Sequence, residues 1–310
     1  GKRMAQHVGR TLLLRGDARE KVLHDAAHGR TGHLTPVGAH EKHPHALACY
    51  GKVALGAMTP LLAHMGYDVC TLPTMLVSNT REHGQPETLE TTDFLEGTLK
   101  AWERLGLSFD AIATGLVASN KQAQVIADFC ATQHDRGTLV FVDPVMGDGG
   151  QPYQYVDPGI VGQMRRLVAV SDVALPNYTE ACLLTGAPFS GAQGMTERDV
   201  MRLLDCLRRL CPRSVVVTSA NVEGSPAVIG YDHERDEHFI IPFEEIEPRF
   251  PGTGDIFAAA LMGKKLAGKT LEDATACAMH VVKDLIRANH DATDTLGGIP
   301  VERSLGSLTR

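Results

Sequence analysis

No apolar run in these 310 residues approaches the roughly 20 positions that a membrane-crossing helix requires, so a helical span is excluded. The seven cysteines form no Cys-x-x-Cys pair, which removes a disulfide framework and a zinc site of that pattern. They read as reduced, mostly buried thiols, and a cytoplasmic location is expected. A positive excess is missing too: the formal net charge is −7, which argues against nucleic acid as the main partner. The apolar stretch from Thr11 to Leu14 is too short for the core of a secretory signal. Internal repeats and low-complexity linkers are also lacking.

What is present fits a soluble α/β enzyme. Apolar content of 43% beside 22% charged residues is globular, and the length suits one α/β domain. Charge is distributed unevenly. Residues 1–45 hold eight Lys or Arg against four Asp or Glu, together with seven of the fourteen histidines. The spacings of His24, His28, His33, His40, His43 and His45 match no zinc pattern. This stretch is therefore expected to be a basic, solvated or loosely packed extension ahead of a domain at 46–310.

Beyond Ala46, short apolar runs alternate with amphipathic ones, the pattern of a parallel sheet covered by helices. Strands are expected at Ala111–Val117, Thr138–Val142, Asp172–Leu175 and Ser214–Thr218, with a hairpin over 226–241. Ser119 or Asn120 caps a helix that carries Ile126, Phe129 and Cys130 on one face. Thr196 and Asp199 form a capping pair before the stripe Val200, Leu203, Leu204, Leu207 and Leu210. Two further helices are expected near 254–267 and 271–289. Asp143, Asn177 and the pair Thr218–Ser219 all fall at strand ends, where open α/β sheets bind ligands.

The richest stretch runs from Pro251 to Ala260. Gly252 and Gly254 flank Thr253, Asp255 follows, and a small apolar run then opens a buried helix. Glycines take backbone angles closed to other residues and expose their N–H groups, and a helix N-terminus attracts anions. A carboxylate at that spot is placed to take a proton while negative charge develops nearby. Phosphoryl transfer to a hydroxyl group needs that combination.

Three further segments appear in order with this one: Val142 to Asp148, Pro176 to Ala181 (which contains Asn177-x-x-Glu180), and Val215 to Ser219. Together with Gly298 to Glu302, they make the chain resemble the ribokinase superfamily, most of all its pyridoxal and pyridoxamine kinases. The resemblance runs from about Ala46 to the C-terminus. It implies a three-layer ribokinase-like sandwich around a mostly parallel sheet, and ATP-dependent phosphorylation of the hydroxymethyl group of a B6 vitamer. Asp255 would be the base, with Gly252, Thr253 and Gly254 cradling the phosphoryl group. Asp143, Asn177, Glu180, Thr218 and Ser219 would face ATP. Asp143 and Glu180 would serve Mg²⁺, and a monovalent cation such as K⁺ is a further expectation. On the acceptor side Ala48, Ser78, Thr80 and Tyr153 take the matching positions, and a homodimer is expected.

The acceptor side departs from the family. Ala46 and Ala48 stand where related kinases tend to carry Asp and Ser, and Ser78-Asn79-Thr80-Arg81 replaces Ser-Asn-His-Thr. Leu175 takes the place of a threonine. A site built to hydrogen-bond its substrate rejects molecules that cannot match it. Two alternatives therefore stand beside the B6 reading. One is another small heterocyclic alcohol such as hydroxymethylpyrimidine; the other is a catalytically weak protein that binds pyridoxal phosphate or nucleotide.

Overall fold

The computed structural model describes residues 11–15, 47–80, 83–153, 159–191 and 194–308. Thirteen strands are found among them. They are β1 Thr11–Arg15, β2 Leu47–Ala48, β3 Asp68–Thr71, β4 Met75–Val77, β5 Thr88–Glu90, β6 Ala111–Thr114 and β7 Leu139–Val142. Then come β8 Gly147–Asp148, β9 Gln151–Pro152, β10 Val173–Ala174, β11 Ser214–Val222, β12 Ser225–Asp232 and β13 Glu237–Pro242. The helices are α1 Leu55–His64, α2 Thr92–Arg104, α3 Asn120–His134, α4 Ile160–Ala169 and α5 Tyr178–Thr185. α6 Glu197–Arg208, α7 Thr253–Leu266, α8 Leu271–Ala288 and α9 Val301–Ser304 complete them.

Eight strands form the central sheet in the order β13-β12-β11-β10-β7-β6-β1-β3, and β2-β4-β5 form a separate three-stranded sheet. The sheet is parallel through β6, β7, β10 and β11, as the alternating pattern requires. Its flanks are antiparallel, which makes the whole sheet mixed. β1 falls within the stretch assigned to the extension. It pairs with β3 on one side and β6 on the other, so its backbone groups have partners along both edges. The remainder of residues 1–46, with its histidines, lies outside the described residues, as does Arg81.

Side chains alternate across the pleat and so build two cores. Ile112, Val140, Val142 and Val215 pack with Trp102, Ile126, Met164 and Leu204, residues of α2, α3, α4 and α6. Ala113, Phe141, Val173 and Val216 face the other way, toward Met58, Ile256, Leu261 and Ala274 of α1, α7 and α8. The result is a three-layer sandwich. Every residue from Asp255 to Gly263 is buried, because α7 lies between α1 and α8. Truncating a fully buried leucine such as Leu261 typically costs about 2–5 kcal/mol.

The expected caps form: Ser119 accepts from the Gln122 amide, and Thr196 with Asp199 closes a capping box. β6 stops at Thr114, short of Val117. β11 instead continues past Thr218 to Val222, through a register shift between Val217 and Ala220 where Ser219 takes φ 56°. None of the seven cysteines is in a disulfide. Only Cys130, Cys182 and Cys211 are buried, so the expectation of mostly buried thiols does not hold. Burial pushes the Cys130 thiol up to about 12, far from a reactive thiolate. No described helix is long and apolar enough to cross a membrane.

Candidate active site

The turn before α7 has its residue types dictated by geometry. Gly252 takes φ 83° as the N-cap, and a Cβ there would stand 2.9 Å from the Lys52 carbonyl oxygen and 3.2 Å from the Val53 Cα. Only glycine satisfies both demands. The first-turn N–H groups that follow lack intrahelical acceptors and form the positive end of α7. Asp255 sits in that first turn, fully buried, and its Oδ2 accepts a 2.7 Å hydrogen bond from the Ala54 amide. Thr253 and Gly254 line a cleft of about 1280 Å³, so the acid lies directly behind the cleft wall. Ala54 itself is unusual. It is a non-glycine residue at φ 50°, ψ −118°, a conformation that costs about 1–3 kcal/mol and persists only where its surroundings enforce it.

Asp143, at the end of β7, lines the same cleft. The segment that follows it is pinned by the first turn of α5. Asn177 accepts from the Glu180 amide at 2.9 Å and donates through Nδ2 to the Gly147 carbonyl at 2.9 Å. The Glu180 carboxylate accepts from the Met146 amide at 3.0 Å and the Asn177 amide at 2.8 Å. Thr179 Oγ1 accepts from the Gly150 amide at 2.9 Å. Asn177 and Glu180 therefore act first as a capping box and loop anchor, and both border the cleft. Burial, and secondly the nearby Asp143 carboxylate, push Glu180 well above the usual carboxylate range. Such a like-charged pair is relieved by a cation. No cluster of three or more His, Cys, Asp or Glu side chains able to hold a metal occurs among the described residues. Two carboxylates suit Mg²⁺, which keeps several waters, and do not suit zinc.

Thr218 and Ser219 join the cleft at the β11 bulge, held there by a bond from the Thr218 amide to the Pro176 carbonyl at 3.0 Å. Leu175 also lines the cleft, so the threonine hydroxyl that it replaces is absent from the wall. Sequence reasoning missed the far wall: Phe243 and Arg249 from the loop before the motif, and Met279, His280 and Lys283 from α8. A faint signal existed, since His280 and Lys283 lie i,i+3 beside the apolar face of that helix.

The acceptor residues behave differently. Ala48, Ser78, Thr80 and Tyr153 do not line the cleft. Ala48 is buried against Val53, Ala54 and Val77. Ser78 Oγ donates to Asn79 Oδ1 at 2.6 Å and accepts from the Glu87 amide at 3.0 Å. Thr80 is buried, with Oγ1 2.7 Å from His83 Nδ1 and its methyl pressed under Gly51. Tyr153 packs with Leu116 and Val145. A second hollow, of about 770 Å³, lies between Leu55, Thr71 and the Leu76 and Leu89 side of the small sheet. Leu55, which follows Ala54, is the α1 residue of its lining.

Comparison with known proteins agrees with this geometry. Residues 58–299 match the family model described as phosphomethylpyrimidine kinase. The pyridoxine/pyridoxal/pyridoxamine kinase of Bordetella pertussis is 30% identical over 254 residues, 77% of this chain and 85% of that one. The pyridoxal kinase of Lactobacillus plantarum superposes with a TM-score of 0.76 at 30% identity, over 85% of this chain and 94% of its own. A Bacteroides thetaiotaomicron protein assigned to the phosphomethylpyrimidine kinases, crystallised with pyridoxal, gives 0.79 at 30% identity, over 86% and 94%.

Proposed function

Since the chain belongs to the phosphomethylpyrimidine kinase family and is pyridoxal kinase-like within the ribokinase superfamily, we propose that it transfers the γ-phosphoryl group of ATP to the hydroxymethyl group of a B6 vitamer. The observation that carries this reading is the buried Asp255 carboxylate at the positive end of α7, directly behind a cleft edged by Asp143, Thr253 and Gly254. Asp255 takes the hydroxyl proton as the phosphoryl group arrives, a role worth about 10²–10⁴-fold in rate. The amides of the Gly252–Gly254 turn steady the phosphoryl oxygens; losing one such donor typically costs about 10²–10³-fold. Thr218 and Ser219 would face the nucleotide or an associated monovalent cation. The apolar wall of Phe243 and Met279 suits the base of the nucleotide, and Lys283 supplies a cation nearby.

Asp143 and Glu180 would hold Mg²⁺, Glu180 through water, and the ion would neutralise charge on the ATP phosphates. The acceptor enters from the small sheet, where Ala48 supplies no hydroxyl and the Ser78 and Thr80 hydroxyls have internal partners. On that same sheet Leu47, Leu76 and Leu89 stand directly across from one another, with Leu47 and Leu89 49% and 61% exposed. This apolar row supports a homodimer, and seven cysteines without a disulfide support a reducing cytoplasm.

Purified protein given Mg²⁺, ATP and pyridoxal, pyridoxine or pyridoxamine should yield the 5′-phosphate, with Asp255→Asn as the inactive control. Product from hydroxymethylpyrimidine alone would transfer the activity to that acceptor. No product from any of these alcohols would reduce the protein to a binding role.

A further inference from the structure

Residues Gly51 to Ala54 form a strap that crosses the Gly252 turn and never reaches the cleft. Several unrelated contacts clamp it. The Lys52 amide donates to the Gly297 carbonyl at 2.5 Å, and Lys52 bridges Gly298 in parallel register. The Lys52 ammonium pairs with Glu302 on α9. Gly298 takes φ 77°, and a Cβ added there would stand 2.4 Å from the Lys52 oxygen and 3.1 Å from the Pro251 oxygen. At the end of this clamped strap is Ala54, held in a conformation that L side chains rarely adopt, with its amide aimed at Asp255 Oδ2. Strain of this kind persists only where the surroundings over-determine it, and it clusters at functional sites.

We propose that this strap is the positioning element of the base: the Ala54 amide orients Asp255, and Gly298 acts through the strap as a positioning residue for phosphoryl transfer. The proposal rests on the reading of Asp255 as the base. It assigns a catalytic consequence to a C-terminal glycine that touches neither ATP nor the cleft. A misplacement of about 1 Å in a reacting group can cost about 10²-fold. ATP binds on the other side of Thr253 and Gly254, so its KM should barely respond.

The experiment uses the full chain with Mg²⁺, ATP and pyridoxal. Gly298→Ala should lower kcat by about tenfold or more while the KM for ATP stays within about twofold. Ala54→Gly should raise the thermal midpoint of the ligand-free protein by about 2 °C or more, because glycine adopts this conformation without strain. Added to the Gly298→Ala background, Ala54→Gly should recover kcat about threefold or more, since a relaxed strap can re-seat its amide. No recovery in the double variant would overturn the proposal, because the defect would then travel through Pro251 and the anion loop. A lower midpoint for Ala54→Gly would overturn it as well, even if Gly298→Ala failed to fold. Asp255→Asn separates the two levels: activity surviving in that variant sinks the base reading itself, whereas its loss leaves the strap to be judged by the other variants.

Discussion

The cleft and the small sheet use polar groups in opposite ways. Around the cleft, side chains such as Asn177 and Glu180 bind backbone and thereby fix the Met146–Gly147 segment that follows Asp143 on the cleft wall. On the small-sheet side, Ser78 and Thr80 bind their own neighbours and present little outward polarity. Phosphoryl transfer needs fixed charges and donors, because their benefit depends on not reorganising during the reaction. An alcohol acceptor needs mainly shape and one well-placed base. On the proposed reading the phosphate side is specified residue by residue, while the acceptor side would tolerate Ala48 in place of Ser.

The sharpest test of this asymmetry is Asp255→Asn. It keeps the Ala54 amide bonded to a side-chain oxygen yet removes proton acceptance, so kcat should fall by about 10²–10⁴-fold with the KM for ATP within about twofold. Steady-state kinetics decides; a loss confined to KM would make Asp255 a binding group. Next in size is Asn177→Ala, which breaks the capping box and releases the Gly147 carbonyl. Loss of such a cap costs about 1–2 kcal/mol in urea unfolding. Because the segment after Asp143 loses its anchor at Gly147, the KM for ATP should rise alongside. Unchanged nucleotide affinity would separate the anchor from the site.

A pH experiment probes the same anchor through Glu180, whose carboxyl is raised by burial and by Asp143. A raised acid favours the folded state when protonated. Its contribution is fully present below the unfolded value of about 4.3 and is withdrawn as pH climbs through the raised folded value. If Asp143 and Glu180 hold Mg²⁺ as proposed, the ion would oppose that withdrawal. The rise in thermal midpoint caused by Mg²⁺ should therefore be larger at about pH 8 than at about pH 5. An equal rise at both would remove Glu180 from the metal's surroundings.

The same division governed what could be read in advance. Gly252 was legible because its backbone angle and close approach leave only glycine, and Asp255 because an acid stands directly before a small apolar run. Asp143 was legible because a continuous apolar strand must end before an acid. Ala54 gave no signal, since its contribution comes from an amide every non-proline residue carries. The α8 wall was visible as an amphipathic helix, but a helical period tells which residues are buried and not what they border. β1 escaped because three leucines make too short a run to separate strand from tail. Ser78 and Thr80 were placed by likeness of position, and position along a chain does not fix where a hydroxyl points.

Ser78 supplies the smallest and most discriminating effect. Its hydroxyl donates to Asn79 and accepts from the Glu87 amide, which ties β4 to the loop before β5. Ser78→Ala leaves one partly exposed amide to water, so the stability cost should be about 0.5–1.5 kcal/mol. If the hydroxyl serves only this loop, the KM for pyridoxal should move by less than about threefold, because one lost substrate hydrogen bond would already exceed that change. A tenfold rise in that KM with kcat intact would show that the small sheet turns Ser78 toward the acceptor during turnover. The contrast between an outward-facing cleft and an inward-bonded sheet would then not hold during turnover.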